Sequence, residues 1–111
     1  MSSTIKDLQK LAYRIAKDHG WHTSSRTPGD AIALMHSELS EALEEYRGSG
    51  NVNHTWKNNS GKPEGVVFEL ADCVIRILDF CGEHKLDLQT AIKEKMQFNM
   101  QRDFRHGGKH L

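Results

Sequence analysis

The chain has 111 residues, and its 15 Lys and Arg residues balance its 15 Asp and Glu residues, so the net charge is zero with neutral His. A chain of this length forms one domain, here residues 1–111. The balanced charge does not indicate nucleic-acid binding, and no apolar run approaches the roughly 20 residues that span a bilayer. Because the N-terminus also lacks the apolar core of a signal peptide, we expect a cytoplasmic protein with no nucleic-acid or membrane partner.

The first two predicted helices have clear apolar spacing and end signals. The first is predicted over residues 3–19, with Gly20 as its stop. The second opens at Thr27, a good capping residue, followed by Pro28 in the first turn, and it ends near Arg47. The predicted core stripe of this second helix consists of Met35, Leu39, Ala42, Leu43 and Tyr46.

The second half of the chain is predicted to hold a loop and two further helices. Residues 48–63 are rich in Gly, Asn and Ser and predict a long loop, which in a small domain is more often functional or mobile than idle. A third helix is predicted over residues 64–81, with Gly82 as its stop, and a fourth from the capping residue Asp87 to about Phe104. No stretch alternates convincingly as a strand. We therefore expect an all-α, four-helix domain.

The two cysteines, Cys73 and Cys81, both fall on the third predicted helix. Their spacing separates them by about 12 Å along the helix axis. A disulfide requires Cα atoms within about 7 Å, so the two cannot pair there. We predict two buried free thiols, consistent with a reducing compartment.

Two short acidic repeats are the most informative feature of the chain. They are Glu38-Leu-Ser-Glu41 and Glu69-Leu-Ala-Asp72, each inside a predicted helix. Residues three apart share a helix face, so each repeat directs two carboxylates the same way. Two such pairs facing each other would gather four negative charges with no evident salt bridge, which is costly unless a divalent cation lies between them. Hard oxygen ligands of this kind favour magnesium.

The ordinary alternative is that both repeats are solvated helix surface. Acidic pairs at this spacing are common on exposed helices, and Arg76 could neutralise Asp72 and Asp79 within its own helix. Against this, the charged residues between positions 66 and 81 form one narrow stripe in an otherwise apolar helix: Glu69, Asp72, Arg76 and Asp79. A helix that apolar is buried on more than one side. Spacing alone leaves both alternatives open.

At these residues the chain resembles the MazG-like, all-α nucleotide pyrophosphohydrolases, whose pattern is Glu-x-x-Glu, a variable gap, and Glu-x-x-Asp. The gap here is 27 residues. The fourth predicted helix carries an element similar to the family's Lys-Met-x-x-Asn-x-x-Arg, namely Lys95, Met96, Asn99 and Arg102. Residues 105–109 are similar to the tail of small members, and the resemblance covers roughly residues 28–110.

The resemblance implies hydrolysis of a nucleoside triphosphate between its α and β phosphates, giving a monophosphate and pyrophosphate. Mg²⁺, with Mn²⁺ as a substitute, would bridge carboxylates and phosphate oxygens and neutralise the developing charge. The implied metal ligands are Glu38, Glu41, Glu69 and Asp72. One of these carboxylates, with Glu41 and Glu38 as the candidates, could instead position or deprotonate the attacking water, and the sequence does not assign that role. The resemblance also implies a homodimer or a homotetramer.

The implied phosphate contacts lie on the fourth helix and beyond it. Lys95, Asn99 and Arg102 share one face, and the planar fork of the arginine suits phosphate oxygens. A solvated basic face is the open alternative for these three. Lys109 is a further candidate, with an unstructured tail as its alternative.

The implied base contacts are aromatic side chains. Related enzymes stack the base on aromatic residues from the segment before the second helix and from the loop after it. The candidates at those places are Trp21, His22 and Trp56, because an indole offers a large rigid face. A core position is the open alternative for Trp21.

Two other protein classes compete with this hypothesis. A di-iron bundle protein also places carboxylates inside helices, but it requires Glu-x-x-His pairs, and no Glu here has His three residues later. A non-enzymatic helical interaction or regulatory module predicts that the four acids are dispensable and that magnesium changes nothing.

Overall fold

A computed structural model of the chain describes residues 4–22 and 25–102. Predictions that concern Lys109 and the end of the last helix at Phe104 lie outside these residues. The described chain is mostly helical, with four helices and one short antiparallel hairpin. Its elements are α1 (Ile5–Asp18), α2 (Pro28–Ser49), β1 (Thr55–Lys57), β2 (Pro63–Gly65), α3 (Val66–Glu83) and α4 (Leu88–Met100).

Side-chain caps define where the helices begin. The Thr27 hydroxyl accepts a hydrogen bond from the Asp30 backbone N–H, and the Asp30 carboxylate accepts one from the Thr27 N–H, which completes a capping box. Asp87 accepts from the Thr90 N–H in the same way at α4. These bonds to backbone N–H groups lower the pKa of both aspartates. The predicted caps at Thr27 and Asp87 are confirmed.

The predicted stop at Gly82 is wrong, because α3 continues through it to Glu83. Gly82 instead lies where α3 packs against Tyr13 of α1. A Cβ at this position would lie 2.7 Å from the Cβ of Tyr13, which is closer than real contacts allow. The missing side chain lets α1 and α3 approach each other at this point.

The predicted loop contains a β-hairpin, so the expectation of a chain without strands is wrong here. Thr55 pairs with Gly65 and Trp56 pairs with Glu64. The Asn58 carboxamide oxygen accepts from the Ser60 and Lys62 backbone N–H groups and so orders the turn. Strands of three residues are too short for alternation to be visible in the sequence. As a result α3 begins at Val66, two residues later than predicted.

The core lies around α3, which packs against α2 on one side and α1 on another, while α4 packs against α1. Both cysteines are buried and free, as predicted. The buried apolar residues are mostly small ones: Ala12, Ala16, Ala31, Ala42, Cys73, Leu78 and Cys81. None of the described helices is long and apolar enough to cross a membrane.

Part of the predicted core stripe of α2 is wrong for a single chain. Ala42 is buried, but Leu39, Leu43 and Tyr46 are each about half exposed. Helices α2 and α3, which pack together, carry seven apolar residues that are 42% to 53% exposed, and we call these the apolar face: Ile32, Leu39, Leu43 and Tyr46 of α2, with Val67, Leu70 and Val74 of α3. The sequence identified these residues as apolar without showing what covers them.

Candidate functional site

Helices α2 and α3 bring three of the four predicted carboxylates together. Glu38, Glu69 and Asp72 each place a carboxylate oxygen within 4.8 Å of the other two, and we call them the acidic cluster. A second group of carboxylates within the same distance consists of Glu69, Glu45 and Glu64. The sequence did not predict a role for Glu45 or Glu64. Glu41 is exposed and belongs to neither group among the described residues.

Glu69 is the most buried carboxylate of the acidic cluster, and burial disfavours its charged form. It is 7% exposed, and it forms no hydrogen bond or salt bridge with another described residue. Burial, followed by the charges of Asp72 and Glu38, raises its pKa to about 7. Burial and Glu38 also raise the pKa of Asp72. The charge of Lys62 opposes both shifts, but burial and the repulsion between the carboxylates outweigh it.

The nearby cations neutralise other carboxylates. Arg76 Nε donates to Glu38 Oε1 at 3.0 Å, joining α3 to α2. This salt bridge corrects the expectation that none is evident around the acidic pairs. The charge of Arg76 also acts on Asp72 in its own helix and opposes the rise of the Asp72 pKa, so the alternative of intrahelical neutralisation holds in part. Lys62 Nζ lies 3.5 Å from Glu64 Oε1, and that carboxylate raises the pKa of Lys62. Neither cation forms a salt bridge with Glu69.

A cleft of about 700 Å³ begins at the acidic cluster and follows α3 toward its C-terminal half. Glu38, Asp72 and Lys62 line one end. Trp21, Arg26, Asp79 and Phe80 line the other, so the cleft is polar at the cluster and partly aromatic beyond it. Asp72 and Asp79 are seven residues apart, which is about 10 Å along the helix axis. A volume of this order is typical of small-molecule sites.

His22, a predicted base contact, forms a hydrogen bond with Asp79, which lines the cleft. Its ring stacks on Tyr13 with centroids 5.1 Å apart, and its Nε2 lies 2.8 Å from Asp79 Oδ1. Since a carboxylate only accepts hydrogen bonds, Nε2–H is the donor. One face and one edge of the imidazole are therefore already in use, whereas Asp79 lines the cleft.

The two predicted indoles have different positions. Trp21 is 53% exposed and lines the cleft, so the alternative that it fills the core is wrong. Trp56 lies on β1, 45% exposed, where its Nε1–H donates to Glu45 Oε1 at 3.2 Å. Trp56 does not line the cleft in the described part of the chain.

The predicted basic face of α4 lies apart from the acidic cluster within one chain. Helix α4 packs against α1, where the Gln89 side chain accepts from the Lys6 backbone N–H. Lys95 Nζ lies over the ring of Phe98, 5.6 Å from its centroid. Among the described residues that line the cleft there is no Lys95, Asn99 or Arg102.

No protein-family model, curated protein or solved structure matches this chain. Function is therefore inferred from the geometry of the acidic cluster and the cleft, together with the motif resemblance.

Proposed function

We propose that the chain is a Mg²⁺-dependent nucleoside triphosphate pyrophosphohydrolase, which cleaves a (deoxy)nucleoside triphosphate to the monophosphate and pyrophosphate. The observation that carries the proposal is the acidic cluster at the cleft: Glu38, Glu69 and Asp72 converge within 4.8 Å, and Glu38 and Asp72 line one end of a cleft of about 700 Å³. Burial and the neighbouring carboxylates raise the pKa of Glu69 to about 7, and a bound cation would offset that repulsion.

The donor set fits a hard divalent cation. Three carboxylates from two helices converge within 4.8 Å, and oxygen ligands are those that magnesium prefers. Glu38, Glu69 and Asp72 would hold Mg²⁺, or Mn²⁺ in its place. Glu38 keeps Oε2 for this role, because Arg76 occupies only Oε1. When bound, the ion would neutralise phosphate charge and favour ionisation of a coordinated water.

The chain's own residues would then bind and orient the triphosphate. Lys62 and Arg76 line the cleft next to the cluster, where their N–H groups can donate to phosphate oxygens. In the reaction the oxygen of water bonds to one phosphorus, the bridging oxygen leaves with the other phosphate, and the water proton passes to a base. Glu41, one of the two candidates for this base, is exposed and lies outside the acidic cluster among the described residues.

We also propose that the chain works as a homodimer or homotetramer. About half of each of the seven side chains of the apolar face is exposed, which amounts to on the order of 600 Å² per copy. A standard stable interface buries about 800 Å² per partner, so a second copy of this face is an occupant of suitable size. The basic face of α4 would reach a triphosphate only if assembly places α4 of one copy next to the acidic cluster of another. This face carries Lys95, Asn99 and Arg102.

The test is an assay of pyrophosphate and phosphate release from a panel of nucleoside triphosphates with Mg²⁺. We expect pyrophosphate release that Glu69→Gln abolishes and that Glu44→Gln, an exposed substitution of the same chemistry, leaves unchanged. Release of phosphate alone would place the cleavage elsewhere, and wild-type turnover by Glu69→Gln would remove the cluster from the mechanism.

A non-enzymatic helical interaction module is the second candidate, because the apolar face would also suit a protein partner. This alternative predicts no pyrophosphate release and no effect of Mg²⁺ on the melting temperature. The same panel, with melting curves at millimolar Mg²⁺, separates the two functions.

A further inference from the structure

The end of the cleft far from the acidic cluster contains a second buried carboxylate, Asp79. It is 7% exposed, and its Oδ1 accepts from His22 at 2.8 Å. No other hydrogen bond to this carboxylate comes from the described residues. A carboxylate offers about four acceptor sites, and the described residues use one of them. Since Asp79 lines the cleft, Oδ2 is available to a molecule bound there.

The orientation of Asp79 is fixed by the elements around it. The imidazole of His22 is held between Asp79 and the ring of Tyr13. Tyr13 in turn packs against Gly82, one turn along α3 from Asp79. Both ends of this chain of contacts lie on α3, so the Asp79 carboxylate has little freedom to move.

The end of the cleft at Asp79 suits the base of a nucleotide whose phosphates lie at the acidic cluster. Asp79 is about 10 Å along the helix axis from Asp72, so one elongated ligand can reach both ends of the cleft. Phe80 and the half-exposed Trp21 line the same end and offer rings on which a base can stack.

We propose that Asp79 selects the base: its Oδ2 accepts an N–H from an exocyclic amino group, so the site favours cytosine and adenine over their oxo counterparts, uracil and hypoxanthine. Aspartate accepts from the cytosine amino group in known recognition geometries. An oxo base would instead place a carbonyl oxygen against the carboxylate, with no proton between them. A site built around a buried hydrogen-bonding group discriminates strongly against a ligand that leaves that group unpaired.

This inference rests on the proposed function, and it is tested with two matched substrate pairs. We would measure kcat/KM for dCTP against dUTP and for dATP against dITP. The wild type is expected to favour the amino member of each pair at least tenfold. Asp79→Asn is expected to reduce both preferences at least tenfold, because an amide can donate to the carbonyl oxygen. The control is Asp18→Asn, the same change at an exposed position of α1, and it should keep both preferences.

Each outcome decides between the alternatives. Equal kcat/KM within both pairs for the wild type overturns the inference without any variant. Preferences that survive in a folded Asp79→Asn protein limit Asp79 to holding His22 in place. If no triphosphate yields pyrophosphate, the proposed function fails. Calorimetric binding of dCMP against dUMP then tests Asp79 separately: tenfold tighter dCMP binding supports the inference, and equal or absent binding overturns it.

Discussion

Replacing Glu69 with glutamine should raise the free energy of unfolding of the metal-free protein, although it removes a proposed metal ligand. The pKa of Glu69 rises from 4.5 to about 7 in the folded chain, so folded Glu69 holds its proton more tightly than unfolded Glu69. Stability is therefore lost as pH rises from about 4.5 to about 7, and the whole cost is present above that range. A shift of this size corresponds to at most about 3 kcal/mol.

The assay is thermal unfolding in the presence of a chelator, from pH 5 to pH 8.5. We expect the melting temperature of the wild type to fall across this range, and that of Glu69→Gln to fall less. At pH 8 the variant should melt higher, by on the order of 10 °C if the full cost is recovered in a domain of this length. Glu44→Gln, whose side chain is 64% exposed, controls for the loss of one negative charge.

Magnesium should reverse the order of the two proteins. Binding only to the folded state stabilises by about 4.1 kcal/mol at a thousand times the dissociation constant, which exceeds the stability that the substitution recovers. The wild type should gain this stability, and Glu69→Gln should gain little, because its amide cannot replace the anionic ligand. A variant that melts below the wild type at pH 8 in chelator, or a wild-type melting temperature independent of pH, would refute the reasoning.

Two further predictions concern packing and assembly. Gly82→Ala should destabilise the chain by about 1–3 kcal/mol in urea unfolding, because its Cβ would lie 2.7 Å from the Cβ of Tyr13. Gly48→Ala is the matched helical control, since a Cβ there meets nothing within 4 Å; an equal loss in both would contradict the packing argument. Leu43→Glu with Val74→Glu should reduce the mass in light scattering to that of one 12.6 kDa chain without loss of helicity, and a wild type already of that mass would disprove self-association.

Helix ends were predictable from the sequence where short-range chemistry sets them. Thr27 and Asp87 cap in the predicted way because capping involves only residues two or three positions away. Gly50 closes α2 in a left-handed conformation for the same local reason. Gly82 was misassigned because its role is set by Tyr13, far away in sequence, and not by the local backbone.

The acidic cluster was predictable only in part. The two repeats and the family resemblance named Glu38, Glu69 and Asp72, which the structure brings together, and also Glu41, which lies outside the cluster among the described residues. The sequence did not show that Glu45 and Glu64 group with Glu69, since the hairpin positions Glu64 by pairing it with Trp56. Pairings across elements depend on tertiary structure and leave no periodic signal in the sequence.

The polar stripe of α3 links the two ends of the cleft. Glu69 and Asp72 lie at the acidic cluster, Arg76 reaches Glu38 on α2, and Asp79 is held by His22 from the segment after α1. One rigid helix thus fixes the distance between the acidic cluster and Asp79, where we propose that a cation and a base bind. Because a helix rises about 1.5 Å per residue, that distance cannot adjust without unwinding α3. The stripe that predicted a metal site would therefore also set the length of the ligand that we propose for the cleft.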